Sequence, residues 1–479
     1  MIRFTLFNAD IIIKNKKQYI KFPIMQPYKS ISITAHQHTE SIKVGQKLAL
    51  SLVGIGFLLQ MVFWLSFRSE GAGVWLWSSI GLVTVGSIWF TFGQYNNTLP
   101  GIKNNSNWFV SLTSRGAFAW ILAIFLTGFY VLLYWSPNLL GLGSDGAANT
   151  GLVALFDPLS MFLKGKPASQ WFVYGAIYTL TILLMGVKFI YKYRHSKYQV
   201  YRTISIMFFQ TAIAFILPEI MEGLNSDKEY FAKDFKNIWP LNYYFLEDWH
   251  LNNMLNGGSL GLTMLVWGIF SFLVLTPILT YFYGKRWYCS WVCGCGGLAE
   301  IAGDPFRHLS DKSLKAWKIE RWMIYGVLVF ITATTIAVLV GRFTGFKNIF
   351  IIDSGTLSSW YGFFIGSAFS GVIGVGFYPL LGNRVWCRFG CPMAAYLGIL
   401  QRFTIKLPWN KEAKRMSKFR ITTNGSQCIS CGNCSTYCEM GIDVKAYAQR
   451  QEDIVRASCV GCGICSAVCP RGVLRLENL

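Results

Sequence analysis

The chain has 479 residues, of which 53 % are hydrophobic and only 14 % are charged. An average soluble domain carries roughly 25 % charged residues, so this composition excludes an ordinary water-soluble protein and predicts an integral membrane protein. Two further totals need a separate explanation, a net charge of +21 and the presence of 13 cysteines.

Eight apolar stretches contain no Asp, Glu, Lys or Arg and are candidates to cross a bilayer as helices. The shortest of them ends at a proline and is the weakest candidate. Gly151–Leu163 is also apolar but too short to cross, and is expected to lie at the interface or to re-enter. The sequence therefore predicts a polytopic α-helical membrane protein with about eight transmembrane helices. The eight stretches are Leu48–Phe67, Gly73–Gly93, Gly116–Trp135, Ser169–Val187, Thr203–Pro218, Leu260–Tyr283, Trp322–Gly341 and Leu357–Leu381.

The basic residues predict the orientation, because Lys and Arg concentrate in the cytoplasmic loops of membrane proteins. Residues 1–47 hold eight of them and the segment after Leu381 holds 14, whereas residues 219–259 carry seven acids and three lysines. With eight spans, both termini are expected in the cytoplasm, with the protein in the inner (cytoplasmic) membrane. The basic amino-terminal tail is expected to touch anionic membrane lipid, and no nucleic-acid partner is expected.

All 13 cysteines lie between Cys289 and Cys469, which leaves the first part of the chain free of sulfur ligands. This asymmetry and the charge pattern together divide the chain into five parts. They are a basic cytoplasmic tail (1–47), a cysteine-free transmembrane section of five spans (48–259), a three-span section with a repeated cysteine motif (260–401), a basic linker (402–423) and a ferredoxin domain (424–479).

Eight cysteines form two copies of C-x2-C-x2-C-x3-C, which is the spacing of bacterial two-cluster ferredoxins. In that arrangement three thiolates come from one loop and the fourth from the other half. The spacing disfavours zinc, which uses pairs of C-x2-C, and a cytoplasmic location disfavours disulfides. We therefore predict two [4Fe-4S] clusters, in an α+β ferredoxin domain. The first would be bound by Cys428, Cys431, Cys434 and Cys469, and the second by Cys459, Cys462, Cys465 and Cys438.

Glu439 stands where proline is common, which we interpret as a mild departure that leaves ligation undisturbed.

The remaining cysteines lie in two matching segments that follow spans, each reading G-x-R-x-x-C-x-x-x-C. Residues four apart share one face of a helix, so each pair is expected to present two sulfurs together. Four converging thiolates would suit an additional metal or iron–sulfur site, while reversible dithiol chemistry and buried structural cysteines remain alternatives. The four candidates are Cys289, Cys293, Cys387 and Cys391, with Cys295 as an uncertain fifth. Arg286 and Arg384 are expected to offset the charge of these thiolates and to meet phospholipid.

Membrane helices with two C-x-x-x-C motifs, followed by a two-cluster ferredoxin, resemble the NapH/NosR/CcoG group of membrane-bound polyferredoxins. The likeness covers about residues 260–479, and Gly294 departs from the proline usual in the family. Since only 47 residues precede the first predicted span, the chain looks like the membrane and 4Fe-4S section of a NosR-like protein without its flavin domain. Covalent FMN is therefore not expected. A bis-histidine haem is not expected either, because none of the five histidines lies in a predicted span.

The resemblance implies electron exchange between quinol or quinone and a respiratory reductase or electron-carrier subunit, as in nitrate or nitrous oxide respiration (anaerobic respiration and denitrification). Under this hypothesis the chain is an electron-transfer subunit, or a quinol dehydrogenase. The alternative hypothesis is a CcoG-like redox assembly or maintenance factor for a respiratory copper enzyme. The sequence assigns no catalytic residue, places no quinone site and does not fix the direction of electron flow.

Overall fold

The structure is a computed structural model, and it describes most of the chain beyond the amino-terminal tail. The described residues are 43–96, 115–144, 147–225, 234–345, 353–402, 420–424 and 427–477, with backbone alone at 14–15, 18–19, 348–349, 352, 403, 419 and 478. Most of the predicted basic tail (1–47) and most of the predicted linker (402–423) lie outside them.

Helices dominate the described chain, and we number them in chain order. They are α1 (Val44–Leu65), α2 (Ala72–Tyr95), α3 (Ala117–Trp135), α4 (Gly151–Leu155), α5 (Asp157–Lys164), α6 (Gln170–Lys192), α7 (Lys197–Leu224), α8 (Asp248–Asn256), α9 (Gly258–Tyr283), α10 (Arg286–Cys289), α11 (Gly294–Ile301), α12 (Leu314–Thr344), α13 (Ser354–Tyr361), α14 (Tyr378–Leu381), α15 (Pro392–Phe403), α16 (Asn433–Thr436), α17 (Val444–Gln449) and α18 (Ile464–Ala467).

Short strands form three antiparallel pairs. They are β1 (Lys14–Asn15) with β2 (Gln18–Tyr19), β3 (Asn348–Ile349) with β4 (Ile352–Asp353), and β5 (Phe419–Thr423) with β6 (Leu474–Asn478).

In the described part of the chain, seven helices are long and apolar enough to cross a membrane, namely α1, α2, α3, α6, α7, α9 and α12. This confirms a multi-pass helical architecture. The weakest sequence candidate, Thr203–Pro218, lies inside α7, which is 28 residues long. Its proline is tolerated because a π-helical stretch, Phe209–Ile216, precedes it and rearranges the backbone hydrogen bonds.

The eighth predicted span, Leu357–Leu381, is not among these seven helices. Its chain starts in α13, continues as the π-helix Gly362–Ile373, and bends before α14. It nevertheless runs between opposite ends of the bundle, since the Ser358 hydroxyl donates to Glu247 at one end. At the other end the Asn383 amide donates to the carbonyl of Ala299 at 2.7 Å. The total of eight spans stays a prediction.

Three contacts place the start of α1 on the same face of the bundle as the ferredoxin domain. Gln46 of α1 donates to Gln94 at the end of α2 at 2.8 Å. Arg194, after α6, donates to the carbonyl of Tyr95 at 2.8 Å, and His195 lies 2.8 Å from the carbonyl of Ala467 in the ferredoxin. We call this the ferredoxin face and the opposite one the far face. Because the start of α1 and the ferredoxin domain lie on the same face, the chain between them must cross the bundle an even number of times.

The ferredoxin domain is an α+β unit built on the β5–β6 ladder. Phe419 pairs with Asn478 at one end and Thr423 with Leu474 at the other, which joins the first residues of the domain to its last. Since β5 belongs to this sheet, the domain begins at Phe419, ahead of the boundary predicted at residue 424. The three short helices α16, α17 and α18 complete it.

Candidate metal centres

The eight ferredoxin cysteines surround two separate small cavities. The first cavity is lined by Cys428, Cys431, Cys434 and Cys469. The second is lined by Cys438, Cys459, Cys462 and Cys465. These are the two sets that the spacing predicts, with one cysteine in each contributed by the other half of the domain. That each set ligates a cluster stays a prediction.

The same glycine turn builds both cavities. Gly432 and Gly463 occupy equivalent positions, each directly before a short helix, with φ of 78° and 75° in the left-handed region. A side chain at Gly463 would also meet Leu476 and Tyr198 at 3.0 Å. Glycine therefore lets each three-cysteine loop close tightly, and holds the second loop against α7.

The chemistry of these cysteines fits a metal cluster better than free thiolates or disulfides. Burial raises the pKa of Cys434 to about 12 and that of Cys438 to about 11. Both therefore keep their protons at neutral pH unless a metal displaces them. All 13 cysteines are unpaired, so no disulfide competes for the sulfurs. Two such sets fit [4Fe-4S] clusters, which would supply one-electron chemistry.

The two C-x-x-x-C segments fold alike, which supports the internal repeat. The N–H of Cys293 donates to the carbonyl of Tyr288 at 2.8 Å, and the N–H of Cys391 donates to that of Trp386 at 2.9 Å. Gly284 (φ 63°, ψ −175°) and Gly382 (φ 94°, ψ 170°) begin the two segments in a region of backbone space that is essentially restricted to glycine.

The expectation that each pair lies on one helix is wrong. α10 ends at Cys289, and Cys293 is the residue that caps the next helix, α11. In the second segment Cys387 lies in a π-helical turn, Trp386–Gly390, and Cys391 follows it. In each segment the initial glycine and the hydrogen bond from the second cysteine to the carbonyl five residues earlier form a tight turn. This turn, rather than a helix face, brings the two sulfurs together.

The four thiols of the two segments converge inside the protein. Cys289, Cys293 and Cys391 are buried and Cys387 is half-buried. Burial raises the pKa of Cys391, and the neighbouring Cys387, Cys289 and Cys293 raise it further. We call this group the repeat site.

The spacing of the repeat site does not suit a single metal ion. Among the described residues, the one group of three ligand atoms within 4.8 Å of one another is formed by Glu300, Glu439 and Cys462. Four sulfurs around one zinc ion would lie roughly 3.8 Å apart, given a zinc–sulfur distance of about 2.3 Å. The wider separation of the repeat thiols is compatible with a cluster of several metals or with dithiol chemistry.

Cys295 is the fifth thiol of this region, and it contacts Cys293. The hydrogen bond with Cys295 lowers the pKa of Cys293, assisted by the Gly296 amide, Lys236 and Arg384.

Lys236 reaches the repeat site from the acidic loop that connects two helices on the far face. The Tyr288 hydroxyl donates to the carbonyl of Lys236 at 2.6 Å, and Ile238 packs in the same apolar cluster as Cys289. The ammonium of Lys236 pairs with Asp234 at 2.7 Å and would lie 3.1 Å from a side chain added at Gly294. Residues 234–247 thus re-enter the bundle, which sequence reasoning missed because the segment carries no long apolar run.

A buried charge network joins the repeat site to the ferredoxin. Arg384 pairs with Glu300 at 3.0 Å and Glu439 at 2.9 Å, and its guanidinium lies 3.6 Å from the Cys387 sulfur. Arg307 pairs with Glu439 at 2.6 Å, and Arg202 pairs with Glu300. All five side chains are fully buried. Arg384 therefore neutralises buried charge as expected, but does not reach the phospholipid that the sequence suggested.

Glu439 is the functional residue that the sequence interpretation undervalued. It directly follows Cys438, and burial would raise its pKa, but Arg307 and Arg384 outweigh burial and keep the pKa below its usual value. The residue that replaces proline here is thus an ionised bridge between two arginines. The sequence signal that could have revealed its role is the presence of an acidic residue in an otherwise apolar, cysteine-rich stretch.

The second ferredoxin cavity faces the bundle and touches the repeat site. Ser290, which follows Cys289, donates to the carbonyl of Val460, which follows Cys459, at 2.7 Å. Gln199 of α7 donates to the carbonyl of Cys462 at 2.9 Å. The first cavity lies toward the exposed side of the domain, where Ile429 is 50 % exposed. The three candidate sites are thus arranged in series.

Comparison with known proteins agrees with this division of the chain. Residues 420–470 match the 4Fe-4S dicluster domain family. Residues 264–313 and 363–410, which contain the two C-x-x-x-C segments, each match a 4Fe-4S binding domain family. The fold and these matches define the class, a multi-pass helical protein that carries iron–sulfur domains.

One curated relative is the putative electron transport protein YccM of Escherichia coli (strain K12). It is 24 % identical over 189 residues, which are 37 % of this chain and 47 % of the relative. The chain therefore spans about half the length of the curated relative that it matches. No solved structure matches the chain. Membership of the NapH/NosR/CcoG group stays a prediction.

Proposed function

We propose that the protein is a membrane-bound electron-transfer protein that links the quinone pool to a respiratory reductase, in nitrous oxide or nitrate respiration. Its ferredoxin face would lie on the cytoplasmic side of the inner membrane. Three observations support this proposal: the E. coli relative is named an electron transport protein, both repeat segments match a 4Fe-4S binding domain, and the motifs resemble the polyferredoxin group.

The observation that carries the proposal is the contact between the repeat site and the second ferredoxin cavity. The Ser290–Val460 hydrogen bond joins residues adjacent to a cysteine of each site. Cys438 of the second cavity is likewise followed by Glu439, which pairs with Arg384 of the repeat. Redox centres held at these positions would be neighbours, which electron transfer between the bundle and the cytoplasm requires.

The protein side chains would set the electrostatics of this route. The buried network joins four cations to three carboxylates, so one positive charge is left to offset thiolates. The cations are Arg202, Arg307, Arg384 and Lys192, and the carboxylates are Glu300, Glu439 and Asp304. Offsetting negative charge around a cluster is one of the means by which proteins shift its reduction potential. The apolar lining of the second cavity, including Val460 and Ile464, excludes water.

The test is reduction of the purified, iron-loaded protein by a quinol analogue. We expect bleaching of the iron–sulfur absorbance, with dithionite reduction as the control for intact clusters. Reduction by dithionite but not by quinols would exclude the quinol-oxidising direction. In a deletion strain, a reductase that is inactive but fully metallated is the expected result. A metal-deficient reductase would instead support the maturation role.

A further inference from the structure

A large cavity lies between the ferredoxin domain and the bundle, next to the repeat site. Its volume is about 630 Å³, within the range of ligand sites, and it is bounded by the start of α12, by α15 and by ferredoxin residues near Arg456. Next to it on α12, Leu314 is 63 % exposed and Trp322 is 84 % exposed. These apolar side chains face the bilayer if α12 spans it, so the cavity lies where lipid headgroups are found.

The walls of the cavity carry an excess of positive charge. Five basic side chains line it, namely Lys285, Lys312, Arg321, Arg402 and Arg456. Two acids also line it, so the basic side chains exceed the acids by three. Glu320 pairs with Arg388 at 3.1 Å, and Asp443 accepts a hydrogen bond from Ser435 at 2.7 Å.

Of the five cations, Lys312 donates to the carbonyls of His308 and Ser310. In the part of the chain that the structure describes, Lys285, Arg321, Arg402 and Arg456 have no carboxylate partner. Lys285 is only 2 % exposed, and it lies near the Cys289 and Cys459 thiols and Glu320, so its charge faces both the cavity and the candidate metal centres.

Two guanidinium groups from different parts of the protein converge on one ring. Arg321 of α12 lies 5.1 Å from the centre of the Trp317 ring, and Arg456 of the ferredoxin lies 4.9 Å from it. Cation–π contact accounts for part of this arrangement, but two like charges at one ring repel each other. An anion between them would turn that repulsion into a bridge between the two domains.

We propose that this cavity binds the phosphate headgroup of an anionic phospholipid. Lys285, Arg321 and Arg456 would contact the phosphodiester oxygens, and the acyl chains would leave along the apolar surface of α12. Basic pockets between helices at the cytoplasmic surface are the sites that hold such headgroups in other membrane proteins. Cys387 lies in the wall of the same cavity, so the bound lipid would fasten the ferredoxin beside the repeat site. This inference goes beyond the proposed function and does not depend on it.

The test uses the full-length protein, delipidated in a neutral detergent and then given phosphatidylglycerol or phosphatidylcholine. Native mass spectrometry measures the retained lipid, and a thermal scan measures the unfolding midpoint. We expect retention of phosphatidylglycerol and a raised midpoint, with no effect of phosphatidylcholine. At about 1 kcal/mol per basic residue, the double variant Arg321→Gln/Arg456→Gln should bind phosphatidylglycerol roughly thirtyfold more weakly. Lys318→Gln removes one positive charge from an exposed position of α12 outside the cavity, and should bind normally.

Three outcomes would overturn the proposal. The first is equal lipid retention by the double variant and the Lys318 control. The second is binding of inorganic phosphate as tightly as phosphatidylglycerol, which would make the site a receptor for the free anion. The third is protection by a quinone analogue in phosphatidylcholine without any effect of the anionic lipid.

Discussion

At the scale of single residues, charge is placed where it holds the candidate metal centres together. Glu439 and Arg384 are fully buried, and each is adjacent to a different cysteine site. Buried ion pairs of this kind add little net stability but are costly to break, because removal of one partner leaves a buried charge without compensation. Their value here is the fixed geometry that they impose on the two sites.

Replacement of Glu439 by glutamine tests this bridge. The variant leaves Arg307 and Arg384 short of a counter-charge, and we expect a loss of about 3–5 kcal/mol in the free energy of unfolding. Thermal unfolding followed by circular dichroism measures it.

The matched control is Glu452→Gln, which breaks the exposed pair with Arg450 and should cost at most about 1 kcal/mol. Equal losses in both variants would mean that the Glu439 network is not a buried charge pair in solution.

At the scale of elements, the repeat segments depend on tight turns rather than on regular helices. Pro277 and Pro379 are both preceded by π-helical stretches, Ser271–Leu275 and Gly362–Ile373. At Pro277 the π-helical stretch takes up the broken hydrogen bond, and before Pro379 the N–H of Tyr378 donates to the carbonyl of Val375 at 3.1 Å. The duplicated sequence therefore encodes a duplicated irregular backbone, which explains why both copies keep their glycine.

Gly382→Ala tests that backbone. Its φ of 94° and ψ of 170° are strained for alanine, and the new Cβ would also lie 2.8 Å from the Ser310 amide nitrogen. We expect strain of about 1–3 kcal/mol together with a clash. The readouts are a lower unfolding midpoint and a weakened metal signal of the repeat site.

Gly472→Ala is the control, because Gly472 has a φ of 61° but no atom within 4 Å of the new Cβ. It carries a backbone penalty without a clash, and should spare the repeat site. If the two variants behave alike, the close approach of Ser310 does not matter.

At the scale of the whole molecule, three candidate centres form a series from the bundle to the exposed side of the ferredoxin. This arrangement explains the composition, because the apolar helices hold the repeat site while the sulfur-rich end lies on one face. The repeat thiols could either bind metal or carry out thiol chemistry, and counting the metal bound per chain distinguishes these two roles.

Iron analysis with EPR of the reduced protein makes that separation. Two clusters of four irons give about eight irons per chain, and a third signal means that the repeat site also ligates metal. We expect the third signal, and expect Cys289→Ser/Cys391→Ser to remove it while both ferredoxin signals persist.

A third signal that survives in the double variant would place the extra cluster elsewhere. If the unsubstituted protein shows only the two ferredoxin signals, the repeat site does not bind a cluster, and thiol chemistry is the remaining role.

Several features could be predicted from the sequence because they depend on local spacing. The grouping of Cys428 with Cys469, and the helical stretch at Thr203–Pro218, follow from motif spacing and from charge-free length. Other features could not be predicted, because they depend on side chains distant in the chain. One example is the re-entry of Lys236, which contacts Tyr288, 52 residues later in the chain. Another is the pairing of Arg384 with Glu439, 55 residues later.

The sequence by itself determined the class of this protein, a multi-pass helical chain with a carboxyl-terminal 4Fe-4S ferredoxin domain. It could do so because bilayer thickness fixes the length of apolar helices, and cluster geometry fixes the spacing of cysteines. Only the tertiary structure decided how the sites are joined, through Ser290 and Val460 and through the buried arginines. Those contacts arise from packing between segments far apart in the chain, on which local spacing places no constraint.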